Sequence, residues 1–365
     1  MGMYHVSVRT VLCVSLMSLL ATRGYGQEDQ GESDKIILHG YFSQAYAKSD
    51  NLTVLGIPKG GTFNYRVLAL QARYLITDED QLVVQGRYQQ SGISVLNDAA
   101  PQIQWMYYQH DFGVVTMALG KVPVPIGLYN NTREVGTLLP FYRASANYYV
   151  PGYETIDGAV LSNATRLGAW RLESTVYGGA FTNLFQAPTS SGPVAVSTRT
   201  EYNYGTQLWL ETPLSGVRIG TQLVSYQAVD AVTFDTTRHT LVGGSIDATF
   251  EHAFARGEYL RYAIPGGGPA GQGLIENDMY GEAGVKLTEQ WSINTQVPVS
   301  LVRYSGHTSR STYDRALGVK YAPNSDVAFK LEGHRLTGAF SWEPPLVPNP
   351  QGKTTYVIAS VSASF

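Results

Sequence analysis

One cysteine, few charges and no apolar run long enough to cross a bilayer as a helix set the first limits on this chain. Cys13 is that cysteine, and it sits in an N-terminal stretch with the layout of a secretory signal peptide. There His5 and Arg9 precede an apolar run from Val11 to Leu20, and Gly24-Tyr25-Gly26 offers small residues for cleavage. A run of that length is too short to span a membrane, so residues 1–26 read as a leader that is removed. The mature chain then has no thiol, which excludes disulfides and cysteine-ligated metals. Charged residues make up only 15%, against about a quarter in soluble domains. The net charge is -3, and it becomes more acidic once Arg9 and Arg23 leave with the leader. That balance excludes a nucleic-acid binder on bulk electrostatics. No HExxH, GxSxG or phosphate-cradling loop occurs, and no histidine shares a short segment with a serine and an acid in a hydrolytic pattern. GGGPAGQG at 266–273 follows Pro265 and lacks the Lys-Ser/Thr ending, so it reads as a flexible loop. No catalytic residue, cofactor or metal is expected, and the chain does not read as an enzyme.

What remains is tyrosine (25), glycine (38) and glutamine spread through alternating segments, with a mean hydropathy of -0.11. This suits a sheet with one greasy and one wet face. Residues 27–34 (QEDQGESD) form a polar, flexible lead-in. From Lys35 onward, sixteen period-two segments follow: 35–48, 61–77, 80–92, 101–112, 113–123, 153–165, 168–181, 203–212, 215–229, 238–252, 254–264, 276–288, 290–305, 312–323, 325–340 and 353–365. Short links such as Thr77-Asp78-Glu79 and Pro323-Asn324-Ser325 alternate with long ones such as 49–60 and 182–202. An outer-membrane barrel has that rhythm, with short turns at one rim and long loops at the other.

The faces agree. Val327, Phe329 and Leu331 alternate with Lys330, Glu332 and His334, and Leu82, Val84 and Tyr88 alternate with Gln81, Gln85, Arg87 and Gln89. On 101–112, Ile103, Trp105 and Tyr107 are set against Gln102, Gln104, Tyr108 and His110. Charged and amide groups facing hydrocarbon are costly, so the polar sets face a wetted lumen. A sheet edge in lipid would leave backbone groups unpaired, so the sheet must close. The fold class is therefore all-β: a transmembrane antiparallel up-and-down β-barrel of about 16 strands, forming one domain over 35–365. At that strand number the interior holds a water channel. Pro298 removes a ladder donor and predicts a bulge. Tyr74, Trp105, Tyr107, Trp170, Trp291, Tyr321 and Tyr356 are candidates for the interfacial aromatic girdles. The alternating last segment ends on Phe365, similar to the signal read by outer-membrane assembly machinery.

One connection breaks the rhythm. Between the fifth and sixth segments, 124–152 is far longer than the others, and such a loop usually has a job. It is expected to fold into the barrel and narrow it. GKVPVPIGLYNNTREVGTLLPFYRASANYY resembles the segment of porin O/P-like porins, the dicarboxylate- and phosphate-selective, DcaP-like type. The matches are Gly120, Lys121, Pro125, Gly127, Leu128, Tyr129, Asn130, Thr132 and Arg133, with Glu134 where an Asp is common. The resemblance implies a homotrimeric, passive, solute-selective channel of the cell outer membrane, in contact with outer-membrane lipid.

Arg133, Glu134 and Arg143 are the loop's charges, and with Tyr129, Asn130 and Lys121 they are the expected constriction. A guanidinium grips a carboxylate or phosphate in a bidentate way, so Arg133 and Arg143 would favour small anions such as dicarboxylates or phosphate. The alternative is that Arg133 pairs with Glu134 or a wall acid and simply anchors the loop. The lumen-facing basic set is Arg73, Arg87, Arg171, Arg218, Lys286, Lys320 and Lys330. The acidic set is Asp157, Glu173, Glu211, Asp247, Glu251, Glu282 and Glu332. Many of these read as a self-compensating wall, but Arg73 and Arg87, on neighbouring strands, could set a field across the pore. The function expected is passive diffusion of small hydrophilic solutes. Other classes are a structural or adhesive barrel whose outer loops bind partners, and an outer-membrane enzyme.

Overall fold

The computed structural model describes residues 35–96, 100–189, 192–229, 236–266, 271, 273–304, 307–340 and 352–365. The leader 1–26, the lead-in 27–34 and most of the glycine-rich 266–273 lie outside the described residues. The chain runs through β1 (Ile36–Ser49), β2 (Thr62–Leu75), β3 (Asp80–Ser91), β4 (Gln102–Asp111), β5 (Thr116–Pro123) and β6 (Thr155–Leu167). It continues through β7 (Trp170–Ala180), β8 (Thr182–Thr189), β9 (Gly192–Glu211), β10 (Val217–Val229), β11 (Thr236–Thr249) and β12 (Ala253–Ile264). The last five are β13 (Leu274–Lys286), β14 (Trp291–Tyr304), β15 (His307–Tyr321), β16 (Val327–Thr337) and β17 (Lys353–Ser364).

All pairings are antiparallel, and β1 pairs with both β2 and β17, so the sheet closes. Sixteen strands form the ring. The extra one, β8, pairs only with the outer part of β9, from Thr182↔Arg199 to Thr189↔Gly192. The inner part of β9 pairs with β7, from Arg171↔Glu211 to Gly179↔Asn203. The stretch 182–202, expected as a loop, is therefore mostly a hairpin continuing past the wall. Its two prolines, Pro188 and Pro193, sit opposite each other near the tip, where a missing N–H costs little. Tyr202, at φ 49°, marks the kink between the two parts.

Alternation then decides what each residue meets. On β16, Lys330, Glu332 and His334 are buried inward, while Phe329 and Leu331 are exposed on the outer face. Leu68 and Leu70 on β2, Leu317 on β15 and Val357 on β17 continue that apolar outer face. Exposed Tyr74, Trp170 and Trp291 lie on it, and Trp291 packs on Tyr321 at 4.7 Å between ring centroids.

Three expectations are corrected. No bulge forms at Pro298: its pairing with Tyr280 on β13 is regular, and the register to β15 is the same on both sides of it. The shift on that ladder falls at Val302/Arg303 instead. On β4, Gln85 faces Trp105 while Gly86 faces Ile103, so Gln104 is an extra, bulged residue. A bulge reverses the parity beyond it. Gln104 and Trp105 are both buried, Tyr107 and Gln109 turn inward, and Tyr108 and His110 turn outward, where both bond Asp80. Trp105, Tyr107 and Tyr356 therefore leave the girdle. Tyr356 points inward, stacked on His334 at 4.3 Å, with its hydroxyl donated to Asp314 at 2.5 Å.

Candidate functional site

The ladder between β5 and β6 ends at Pro123↔Thr155, and the chain between them turns into the barrel. Its neck is tied by Val124 N–H donating to Glu154 O at 3.0 Å. The Asn130 amide adds donations to Val124 O at 2.7 Å and Glu154 O at 3.0 Å. Beyond the neck the segment has only isolated turns, such as Thr132 N–H to Tyr129 O at 2.8 Å. Its remaining backbone groups must find partners elsewhere. They find them on the inner wall, all the way round.

The first part binds the wall from β9 to β13. Gly127 N–H donates to Gln222 on β10 at 2.7 Å, Gln207 on β9 donates back to Gly127 O at 3.0 Å, and Leu128 N–H donates to Glu258 on β12 at 3.0 Å. The Tyr129 hydroxyl donates to Glu282 on β13 and accepts from Arg256 at 2.5 Å. Beneath these bonds lies an apolar cluster in which Val124, Ile126, Tyr148, Tyr149 and Tyr153 pack on Val160, Tyr177, Val224, Leu260 and Tyr280. Gly127 sits at φ +59, and a Cβ there would lie 2.5 Å from the Tyr149 hydroxyl. Only glycine takes that backbone at that distance without strain.

The far end is held differently. Lys320 on β15 donates to Thr137 O at 2.6 Å, and Lys330 on β16 donates to Phe141 O at 2.6 Å. Tyr142 N–H donates to Glu332, and Thr137 Oγ1 lies 2.9 Å from Ser364 Oγ on β17. The Arg143 guanidinium lies over the ring of Tyr65 on β2, 5.0 Å from its centroid, and within 5.9 Å of that of Tyr142. The segment thus reaches across the lumen from β5–β6 to the β15–β17 wall.

Between neck and far end four charges meet. Arg87 Nη1 on β3 donates to Glu134 at 2.5 Å and to Glu154 at 2.7 Å. Arg133 Nη2 donates to the other oxygen of Glu154 at 2.9 Å and to Val150 O at 3.1 Å. Tyr41 donates to Glu134 at 3.1 Å, and Gln104 reaches both carboxylates at 3.3–3.4 Å. Two guanidiniums and two carboxylates cancel. Burial would raise the Glu154 carboxyl, but Arg87 and then Arg133 outweigh it and bring it down to about 2. Glu154 was not among the residues the sequence singled out, because the sixth strand was expected to begin at 153 and absorb it. The Gln104 bulge, which turns that amide onto both acids, was also invisible in the alternation.

The structure brings Arg133, Glu134 and Arg87 together, with Asn130 bracing the neck and Tyr129 bound to the wall. Lys121 is not bonded to them, but it lines the same long-loop cavity as Arg87 and Glu154. It takes the outward parity, opposite Asp157 in register, and its ammonium donates to Ile103 O at 3.2 Å. Its neighbours Ala118 and Val122 hold the buried inner face. Asp157 takes the same parity as Lys121 and lines that cavity with it, and Glu251 lies exposed in a short turn beside His252. Arg171 and Glu173 pair at 3.0 Å on the inner face of β7. Arg73 faces inward with its Nε unbonded, and Lys286 lies toward the short-turn rim.

Cavities border the segment toward both rims. On the long-loop side a cavity of about 540 Å³ is lined by Arg87, Gln89, Gln104 and Glu154, next to a smaller one of about 110 Å³ that includes Arg143. On the short-turn side a cavity of about 480 Å³ is lined by Gln109, Asn131, Thr132, Glu173 and Arg218. Residues of the 124–154 segment line all three.

No protein-family description matches the chain, and no curated protein sequence does either. Solved structures do. The chain is similar to the outer membrane channel DcaP of Acinetobacter baumannii, at 9% identity over 90% of this chain and 97% of that one, with a TM-score of 0.62. It is similar to an anion-selective porin from Comamonas acidovorans at 11% identity, over 90% and 99% of the two chains, with a TM-score of 0.58. A third is OmpT, an outer membrane protein of Vibrio cholerae in trimer form, at 9% identity over 90% and 99%, with a TM-score of 0.56. What is shared at such identity is the fold, a closed porin-type barrel.

Proposed function

We propose that this chain is a porin: a passive channel for small hydrophilic solutes across an outer membrane, with the segment 124–154 as its constriction. One observation carries the reading. The segment is bonded to opposite walls of the lumen, while polar, solvent-filled space meets it from both rims. A loop that only capped the barrel would be lined by solvent on one side. The shared fold with DcaP and the Comamonas porin supports the reading, as does the apolar outer face. Export by the leader 1–26 into the outer membrane and assembly as a homotrimer belong to the same proposal. The trimer form of OmpT supports the last point.

The solutes favoured are small anions, of the dicarboxylate or phosphate kind. Arg143 supports this, since its guanidinium lies over two tyrosine rings at the edge of a lumenal cavity. Arg133 contributes less than its residue type suggests, because Glu154 holds it. Purified protein in a planar bilayer should give stepwise ion currents. Their absence sinks the channel. Under a salt gradient, R143A should move the zero-current potential toward cation preference, and an unchanged potential removes Arg143 from solute selection.

A further inference from the structure

Two carboxylates meet Arg87, but only one of them meets a second guanidinium. Glu154 accepts from Arg87 on one oxygen and from Arg133 on the other, at 2.7 and 2.9 Å. Glu134 lies against Arg87, Tyr41 and Gln104, and no bond to Arg133 joins it. The side chain of Glu154 is only 14% exposed, and that of Arg133 9%. Its backbone carbonyl also receives the neck bonds from Val124 and Asn130, so its position is fixed from both sides. Among the described residues the other hydrogen bonds of that guanidinium go to neutral groups, Val150 O and Asn130 Oδ1.

From this geometry we infer that Glu154 is the residue that sets the charge preference of the constriction. The inference rests on the channel reading above. Glu154 cancels Arg133 outright and shares Arg87 with Glu134, so the segment's arginine-rich motif does not express itself as a cationic ring. The lumenal cavities on the long-loop side both include Glu154, so a permeating ion passes next to the balanced cluster. Removing the one carboxylate would leave a surplus positive charge at that point, and removing Arg133 would leave a surplus negative one.

The test is the zero-current potential of single variants in planar bilayers under a potassium chloride gradient. E154Q should raise the anion-over-cation permeability ratio by about five- to thirty-fold, because one uncompensated charge roughly 4–8 Å from an ion in water raises the weight of the anion about two- to five-fold and lowers that of the cation as much. E154D keeps the charge and should stay near the wild-type ratio. R133Q/E154Q removes one charge of each sign and should also return to it. If E154Q acted by loosening the segment, the double variant would not restore the ratio, and that result would overturn the inference. So would an unchanged potential in E154Q. Should E154Q fail to assemble, R133Q decides alone: a shift toward cations supports the inference, and no shift overturns it. Wild-type protein that carries no current would instead refute the channel reading itself.

Discussion

The root of the inward segment and its far end lie in the same lumen, and the two mix packing and hydrogen bonding in different proportions. At the root, five apolar or tyrosyl side chains are packed on the wall, under a layer of hydrogen bonds to Gln222, Glu258 and Glu282. At the far end Leu139, Phe141 and Tyr142 are buried as well, but two lysines grip backbone carbonyls and Glu332 takes an amide. Packing is lost only by opening a cavity, whereas a hydrogen bond contributes about 1 kcal/mol net, and more where its loss leaves a buried group unpartnered. The difference teaches that the root fixes where the segment goes, and the far end fixes how tightly the lumen is crossed.

The largest effect should come from breaking the root. G127V forces a β-branched residue into a left-handed backbone, against Tyr149, Tyr148 and Glu258. Strain and overpacking together should cost about 2–6 kcal/mol. A drop in the temperature at which the barrel loses its compact gel mobility would show it, together with a larger, noisier conductance. If conductance and melting stay at wild-type values, the root does not hold the segment.

Breaking the far end should be milder. K330M keeps the length of the side chain but removes the donor to Phe141 O, at a cost of about 1–3 kcal/mol. Frequent brief current steps should appear while the melting temperature of the barrel hardly moves. Equal destabilisation by K330M and G127V would erase the contrast between the two ends.

The smallest effect is a predicted insensitivity. A carboxyl whose pKa is depressed on folding contributes stability that is present above its unfolded value and lost as pH falls through the folded one. For Glu154 that window runs from the ordinary carboxylate range near about 4.3 down to about 2. Lowering the pH from 7 to about 4.5 should therefore leave the contribution of Glu154 to ion preference unchanged. A shift in zero-current potential that E154Q abolishes within that range would contradict the pairing.

Much of this was legible in the sequence, for a physical reason. Lipid on one face and water on the other impose strict alternation, so Phe329 and Leu331 against Lys330 and Glu332 could be assigned without coordinates. The length of 124–152 and its place between the fifth and sixth ring strands were equally plain. What stayed hidden depends on single-residue shifts and on long-range partners. The extra residue Gln104 reverses Tyr107, Tyr108 and His110, and no local pattern announces a bulge. The second half of 182–202 reads as a loop because of its prolines and glycine, yet it pairs with β8 past the rim. Arg133 announces a guanidinium but not its partner: Glu154 is 21 residues away in sequence and 2.9 Å away in space. The anchoring alternative named Glu134 or a wall acid as the partner of Arg133, and the acid that bonds it is Glu154 at the neck of the segment.

The central claim is that the segment 124–154 borders the path that ions take. Cys13 is the only cysteine of the chain, so in a C13S background a thiol introduced by R143C is the only target for a charged thiol reagent. In a planar bilayer, a negatively charged methanethiosulfonate should lower the current of R143C in discrete steps and move the zero-current potential toward cations, with no effect on C13S alone. A thiol that reacts while both current and potential stay unchanged would contradict a path past Arg143.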